Sequence, residues 1–141
     1  MADDKIRVLL VKPPLDLHSR GILVVATALR DAGMEVVYLE ASPQVGAREI
    51  VQAAMQEDVD VIGMSILSGS PLIILSKLLK VRDEMGLKHV PVIAGGIFPE
   101  EEIEELKTRG VAMIFRPGTP TESIVTAVRE LVHGREAAQA S

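Results

Sequence analysis

Residues 6–40, IRVLLVKPPLDLHSRGILVVATALRDAGMEVVYLE, hold the reading on which the fold turns. IRVLLV (6–11) is an unbroken apolar run of strand length. From about Arg20 to Ala32 the chain then spaces Val24, Val25, Ala28 and Leu29 as one helical face, and Gly33 stops it. EVVYL (35–39) reads as a second strand. A strand, a helix and a strand in this span make a parallel unit with a right-handed crossover. The apolar runs are continuous rather than alternating, as expected of a sheet covered on both faces.

The same pattern continues along the chain. VDVIGMS (59–65), VPVIAGG (90–96) and VAMIF (111–115) supply three further strands. Between them the spacing predicts helices over about 47–57, over about 71–85, from Pro99 onward, and over about 121–133. The second helix sets Ile50, Val51 and Ala54 against outward Arg48, Gln52 and Glu57. The third, rich in Leu and Ile, is expected to be the most buried. The fourth carries EEEIEEL (100–106), with acidic side chains at the positive end of its dipole. The closing HGREAAQAS (133–141) reads as a loose tail. Five strand–helix alternations predict a single α/β domain over 1–141, with an ordered core over about 5–133. The expected architecture is a flavodoxin-like, doubly wound, five-stranded parallel sheet of order 2-1-3-4-5.

Composition excludes several classes of function. The chain has 141 residues and 48% apolar side chains, enough for one real core. With no Trp, one Tyr and two Phe, that core is aliphatic, and base stacking of single-stranded nucleic acid has little to work with. Fifteen basic against twenty acidic side chains give a net charge of −5 with no basic run, a poor match to nucleic acid or anionic membranes. Without cysteine there is no disulfide, thiolate nucleophile or cysteine-based zinc site. No apolar run reaches membrane-spanning length and MADDKIR is acidic rather than signal-like, so the expectation is a soluble cytoplasmic domain.

In a sheet of this kind ligands bind beyond the C-terminal strand ends, near the point where strand order reverses. That edge should carry PPLDLHSRG (13–21), SILSGS (65–70), GGIFP (95–99) and RPGTP (116–120), all small, polar or Gly-rich. His18 alone is most simply a solvent-exposed loop histidine. Two residues from Asp16, however, it suits a metal-ligating imidazole whose other nitrogen is held by a carboxylate. One histidine is too few for a protein zinc site, so the metal is expected to arrive already held by a cofactor. Gly21 either lets something large approach the first turn of the helix or serves loop geometry alone. Ser65, Ser68 and Ser70 offer hydroxyls, though Ser68 or Ser70 also suits the capping position of the third helix. Gly95 and Gly96 make a turn or leave a flat-walled space. Gly118 and Thr119 can meet a phosphate or ribose, or simply form a turn.

DLHSRG (16–21) resembles the Asp-x-His-x-x-Gly signature of cobalamin-binding domains. SIL (65–67) resembles the Ser-x-Leu element that accompanies it, and Gly95–Gly96 resembles the third element. The similarity runs over nearly the whole chain. It is to the small, cobalamin-binding subunit of acyl-CoA carbon-skeleton mutases of the methylmalonyl-CoA and 2-hydroxyisobutyryl-CoA type. The resemblance implies adenosylcobalamin, with His18 as lower axial ligand to cobalt and Asp16 as its hydrogen-bond partner. It implies a slot for the displaced nucleotide tail, lined by Ser65, Leu67, Gly95 and Gly96, with Gly118 and Thr119 toward its outer end. It further implies radical 1,2-rearrangement of an acyl-CoA held on a separate large TIM-barrel subunit, in a heteromer, as a heterotetramer. The small chain is then inactive alone. Family members often read GLDGHDRG, where this chain has Pro14, Leu17 and Ser19 in place of the two glycines and the second acid.

Four rivals are weaker. A corrinoid carrier of a methyltransferase system usually places a helical bundle ahead of this domain, and only about five residues precede the first strand here. A receiver domain needs an acceptor Asp where this chain has Ser65, and a flavin site wants aromatics. A cofactor-free module of the same fold has no reason to keep Asp16, His18, Ser65, Gly95 and Gly96 together. The EEEIEELKTR face (100–109), His89 and His133 are most simply solvated surface.

Overall fold

A computed structural model describes residues 5–12, 20–42, 45–66 and 69–140. The strands β1 (Arg7–Lys12), β2 (Glu35–Glu40), β3 (Val61–Ile66), β4 (Val92–Gly96) and β5 (Met113–Phe115) form one parallel sheet ordered β2-β1-β3-β4-β5. This is the expected doubly wound, flavodoxin-like arrangement. The strands alternate with α1 (Arg20–Asp31), α2 (Ala47–Gln56), α3 (Pro71–Glu84), α4 (Glu100–Arg109) and α5 (Thr121–Ala140).

Strand periodicity divides the core into two layers. Leu9 and Val11 of β1, Ile62, Met64 and Ile66 of β3, and Val92 and Ala94 of β4 bury against α2, α3 and α4. Their neighbours Val8, Leu10, Val61 and Ile93 point the other way, onto Ile22, Ala26 and Leu29 of α1 and Val125, Val128 and Val132 of α5. Each fully buried aliphatic side chain contributes about 1.5–3 kcal/mol, so neither face tolerates water. This two-sided burial is why the strand runs read as continuously apolar.

Helix limits follow from local chemistry. Gly46 precedes α2 and donates its N–H to Glu49 Oε1 at 2.8 Å. Ser70 caps α3, its Oγ accepting from the Ile73 N–H at 3.3 Å, with Pro71 in the first turn. α3 packs between α2 and α4 and buries Leu75, Leu78 and Leu79, yet Ile73 in its first turn is 70% exposed. α5 does not stop near 133 but continues to Ala140, where the sequence reading expects a tail. Ala, Glu, Arg and Gln are strong helix formers, and the single Gly134 costs only about 1 kcal/mol, so propagation outlasts the interruption.

Candidate functional site

The site begins with missing side chains. Along β3 the face turned to α1 and α5 carries Val61, then Gly63, then Ser65; along β4 it carries Ile93, then Gly95. Gly63 lies in register with Leu10 and Ile93, and Ser65 with Gly95, which is itself opposite Phe115. Toward the C-terminal strand ends the sheet therefore has little to press against the helices. A cavity of about 520 Å³ opens there between the sheet, α1 and α5. That volume lies within the roughly 300–1,000 Å³ usual for small-molecule sites.

Six residues singled out from the sequence line this one cavity: Gly21, Ser65, Gly95, Gly96, Gly118 and Thr119. Asp16, His18 and Leu67, with Pro14, Leu17 and Ser19, lie outside the described residues. Gly21 stands in the first turn of α1, and among the described residues beyond its own helix backbone no atom lies within 4 Å of where a Cβ would sit. The two neighbouring glycines have different jobs. A Cβ on Gly95 would meet only the Phe115 carbonyl, at 3.8 Å, so glycine there keeps the cavity wall flat. Gly96 has φ +141° and lies against the Ile66 backbone, where a Cβ would overlap the carbonyl oxygen. It closes the strand end.

The β5–α5 connection forms the outer wall. Thr119 donates to the Arg116 carbonyl from both its N–H, at 3.1 Å, and its Oγ1, at 2.6 Å, while Gly118 takes φ +86°. Thr119 thus shapes a turn and also lines the cavity; its hydroxyl oxygen keeps lone pairs for accepting. Ser70 acts as the α3 cap, whereas Ser65 is half-buried in the cavity wall.

Most of the lining is apolar, with Leu10, Ile22, Val25, Ile93 and Ile124 contributing. Among the described residues, Arg116 is the one charged side chain on the wall. It donates to both carboxylate oxygens of Glu100, Nη1 to Oε1 and Nη2 to Oε2, the latter at 2.9 Å. That contact holds the Glu100 carboxyl below the usual carboxylate range and raises the Arg116 guanidinium. Among the described residues, no three His, Cys, Asp or Glu side chains gather as a metal site. No helix among them is long and apolar enough to cross a membrane.

Sequence reasoning missed Gly63 and Phe115, and it placed Arg116 at the edge, in RPGTP (116–120), without giving it a role. Gly63 had a signal: a lone glycine inside a strand run marks a close backbone approach or a space left open. Phe115 is one of only three aromatic residues in the chain, and strand periodicity puts it on the cavity face. The pairing of Arg116 had none, because Glu100 is sixteen residues away, at the start of α4.

The B12 binding domain family matches residues 6–126. The chain is 45% identical over 139 residues to a 2-hydroxyisobutanoyl-CoA mutase small subunit from Aquincola tertiaricarbonis, covering 97% of this chain and 99% of the relative. It is 45% identical over 126 residues to a pivalyl-CoA mutase small subunit from Xanthobacter autotrophicus, covering 89% and 83%. Against the methylmalonyl-CoA mutase large subunit of Propionibacterium freudenreichii subsp. shermanii, identity is 38% over 128 residues, with 89% of this chain but only 17% of the relative covered. Among solved structures, a cobalamin-binding protein from Desulfitobacterium hafniense superimposes with a TM-score of 0.73 at 20% identity, over 91% of this chain and 60% of that one. A CheY-like receiver domain from Methanospirillum hungatei superimposes with a TM-score of 0.71 at 15% identity, over 96% and 99%. At such identities the likeness concerns the fold.

Proposed function

The chain belongs to the B12-binding domain family, among the small subunits of acyl-CoA mutases, and from that premise we propose that it holds adenosylcobalamin for a separate large subunit that binds the acyl-CoA. The observation that carries this reading is the single cavity that gathers Gly21, Ser65, Gly95, Gly96, Gly118 and Thr119 at the C-terminal edge of the sheet.

The residues present fit the nucleotide tail of such a cofactor. The floor lacks side chains at Gly63 and Gly95, the walls are aliphatic, and Phe115 supplies one aromatic surface for a flat base. Ser65 and Thr121 bring hydroxyls for a ribose and phosphate, and the Thr119 oxygen can accept from a ribose hydroxyl. Leu67, by the family motif, would complete the lining. His18 would hold the cobalt of the cofactor, and Asp16 would accept a hydrogen bond from its other ring nitrogen, fixing the tautomer and making the imidazole a better donor to the metal. When bound, the cofactor supplies a cobalt–carbon bond that breaks homolytically, the radical source for 1,2-rearrangement of an acyl-CoA carbon skeleton. This chain's own work is to bind, orient and shield.

The partner is a large subunit with a TIM-barrel domain, in a cytoplasmic heterotetramer. Among the described residues, four of the five large exposed apolar side chains support closure by another protein: Leu23, Val24, Ile73 and Ile97 all stand at the edge where the cavity opens, and only Met55 lies at the far end of its helix.

The test is a visible absorption spectrum of the chain with adenosylcobalamin after gel filtration, beside His18→Ala. Co-elution with a base-off, imidazole-ligated spectrum that the variant loses is the expected result. Failure to retain cobalamin even with the large subunit present would overturn the reading.

A further inference from the structure

The cavity mouth is bordered by the end of β4 and by the connection that follows β5. β4 ends at Gly96 and leads into α4 at Glu100; β5 ends at Phe115 and leads through Arg116–Thr119 into α5. Along the sheet these strands are hydrogen-bonded only as far as Gly95 and Phe115. Beyond that point the strand ladder no longer holds the two connections together, and each could move on its own.

The Arg116–Glu100 contact spans that gap. Arg116 is the first residue after β5 and Glu100 the first of α4. The paired Nη–Oε hydrogen bonds fix the relative orientation of the two groups, which a single contact does not. At its other end Arg116 is anchored through its own carbonyl, which accepts twice from Thr119. Arg116 therefore joins the turn that forms the outer wall to the start of the neighbouring helix. Both side chains are well exposed, 59% for Arg116 and 70% for Glu100, and pairs of this exposure add little to global stability. A contact so placed acts on the motion of the wall rather than on the fold.

We infer that Arg116 and Glu100 form a clasp that holds the Arg116–Thr119 turn against α4 and slows escape of the cofactor's nucleotide tail from the cavity. Arg116 is a positioning residue here, and the inference rests on the reading that the cavity takes that tail. Opening the mouth requires the pair to part, so the release rate should depend on both charges together. High ionic strength should weaken the clasp, because exposed charges are screened.

The experiment loads the full chain, with its large subunit where retention requires it, with adenosylcobalamin. Release of the cofactor is then followed by visible absorbance across rapid gel filtration. The proteins are the wild type, Glu100→Gln, Arg116→Gln, the double Gln variant, and the charge exchange Glu100→Arg with Arg116→Glu. Each single variant should release cobalamin about three- to tenfold faster, with melting temperature held within about 2 °C. The double variant should be no faster than the singles, the charge exchange should recover most of the loss, and high salt should narrow the differences. Release from both single variants at the wild-type rate would refute the clasp and leave the cofactor reading intact. An effect of Arg116→Gln alone, unrepaired by charge exchange, would also refute it, since Arg116 would then be meeting the ligand directly. A wild type that retains no cobalamin with its large subunit removes the functional reading, and the clasp with it.

Discussion

At the scale of single residues, the cavity depends on atoms that are not there. Gly63 is the plainest case: a Cβ at this position would lie 2.8 Å from Leu10 Cδ2 and 3.6 Å from Ile93 Cγ1. The nearer neighbour is the end of a flexible side chain, so Leu10 can swing aside, but Leu10 itself lines the cavity. Gly63→Ala is therefore expected to fold, losing about 1–2 kcal/mol in chemical denaturation, and to retain cobalamin at least about tenfold less well. Wild-type retention by this variant would mean the floor at Gly63 is not part of the binding surface. The glycines at 95 and 96 were visible in the sequence because they stand together at a strand end. Gly63 carried the weaker signal of a lone glycine inside an apolar strand, and only the register beside Leu10 and Ile93 shows what its lack of a side chain does.

At the scale of elements, the helices owe their starts to short-range contacts that sequence spacing reveals well. In α2 the Gly46 N–H donates to Glu49, which lowers the Glu49 pKa from its ordinary 4.5; the backbone hydrogen bond is the main cause. A carboxyl with a depressed folded-state pKa adds stability above its unfolded pKa and loses it as pH falls through the folded value. Wild-type melting temperature should thus fall on acidification below about pH 4.5, and Glu49→Gln should show a shallower fall over the same range because Gln accepts the same hydrogen bond without titrating. Identical acid limbs in the two proteins would show that the Glu49 charge does not matter. Helix ends were read less well than starts. The sequence suggests that α5 stops near 133, yet it runs to Ala140, because one glycine with strong helix formers after it interrupts propensity without ending it.

At the scale of the whole molecule, the ends of the strands, the cavity mouth and the exposed apolar side chains share one edge. Ile97 follows β4 directly and is 76% exposed, and Ile73 in the first turn of α3 is 70% exposed. Changing both to Asp should leave the isolated chain's stability within about 0.5 kcal/mol. The same change should weaken co-elution with the large subunit by about tenfold or more in its midpoint concentration. Unaltered co-elution would place the partner elsewhere. The alternation of five apolar runs with helical spacings was sufficient to establish the sheet order and the edge where the cavity opens, because parallel crossovers and two-sided burial leave few other arrangements. Ser65, Gly95 and Gly96, which line the cavity, were legible for the same reason: each sits at a strand end, within the run that marks it. What the sequence could not determine is whatever depends on distance through space between separate connections. The depth of the cavity over Gly63, the face Phe115 presents and the Arg116–Glu100 contact all require the register of β3, β4 and β5 to be known first, and that register is set by packing on both faces of the sheet.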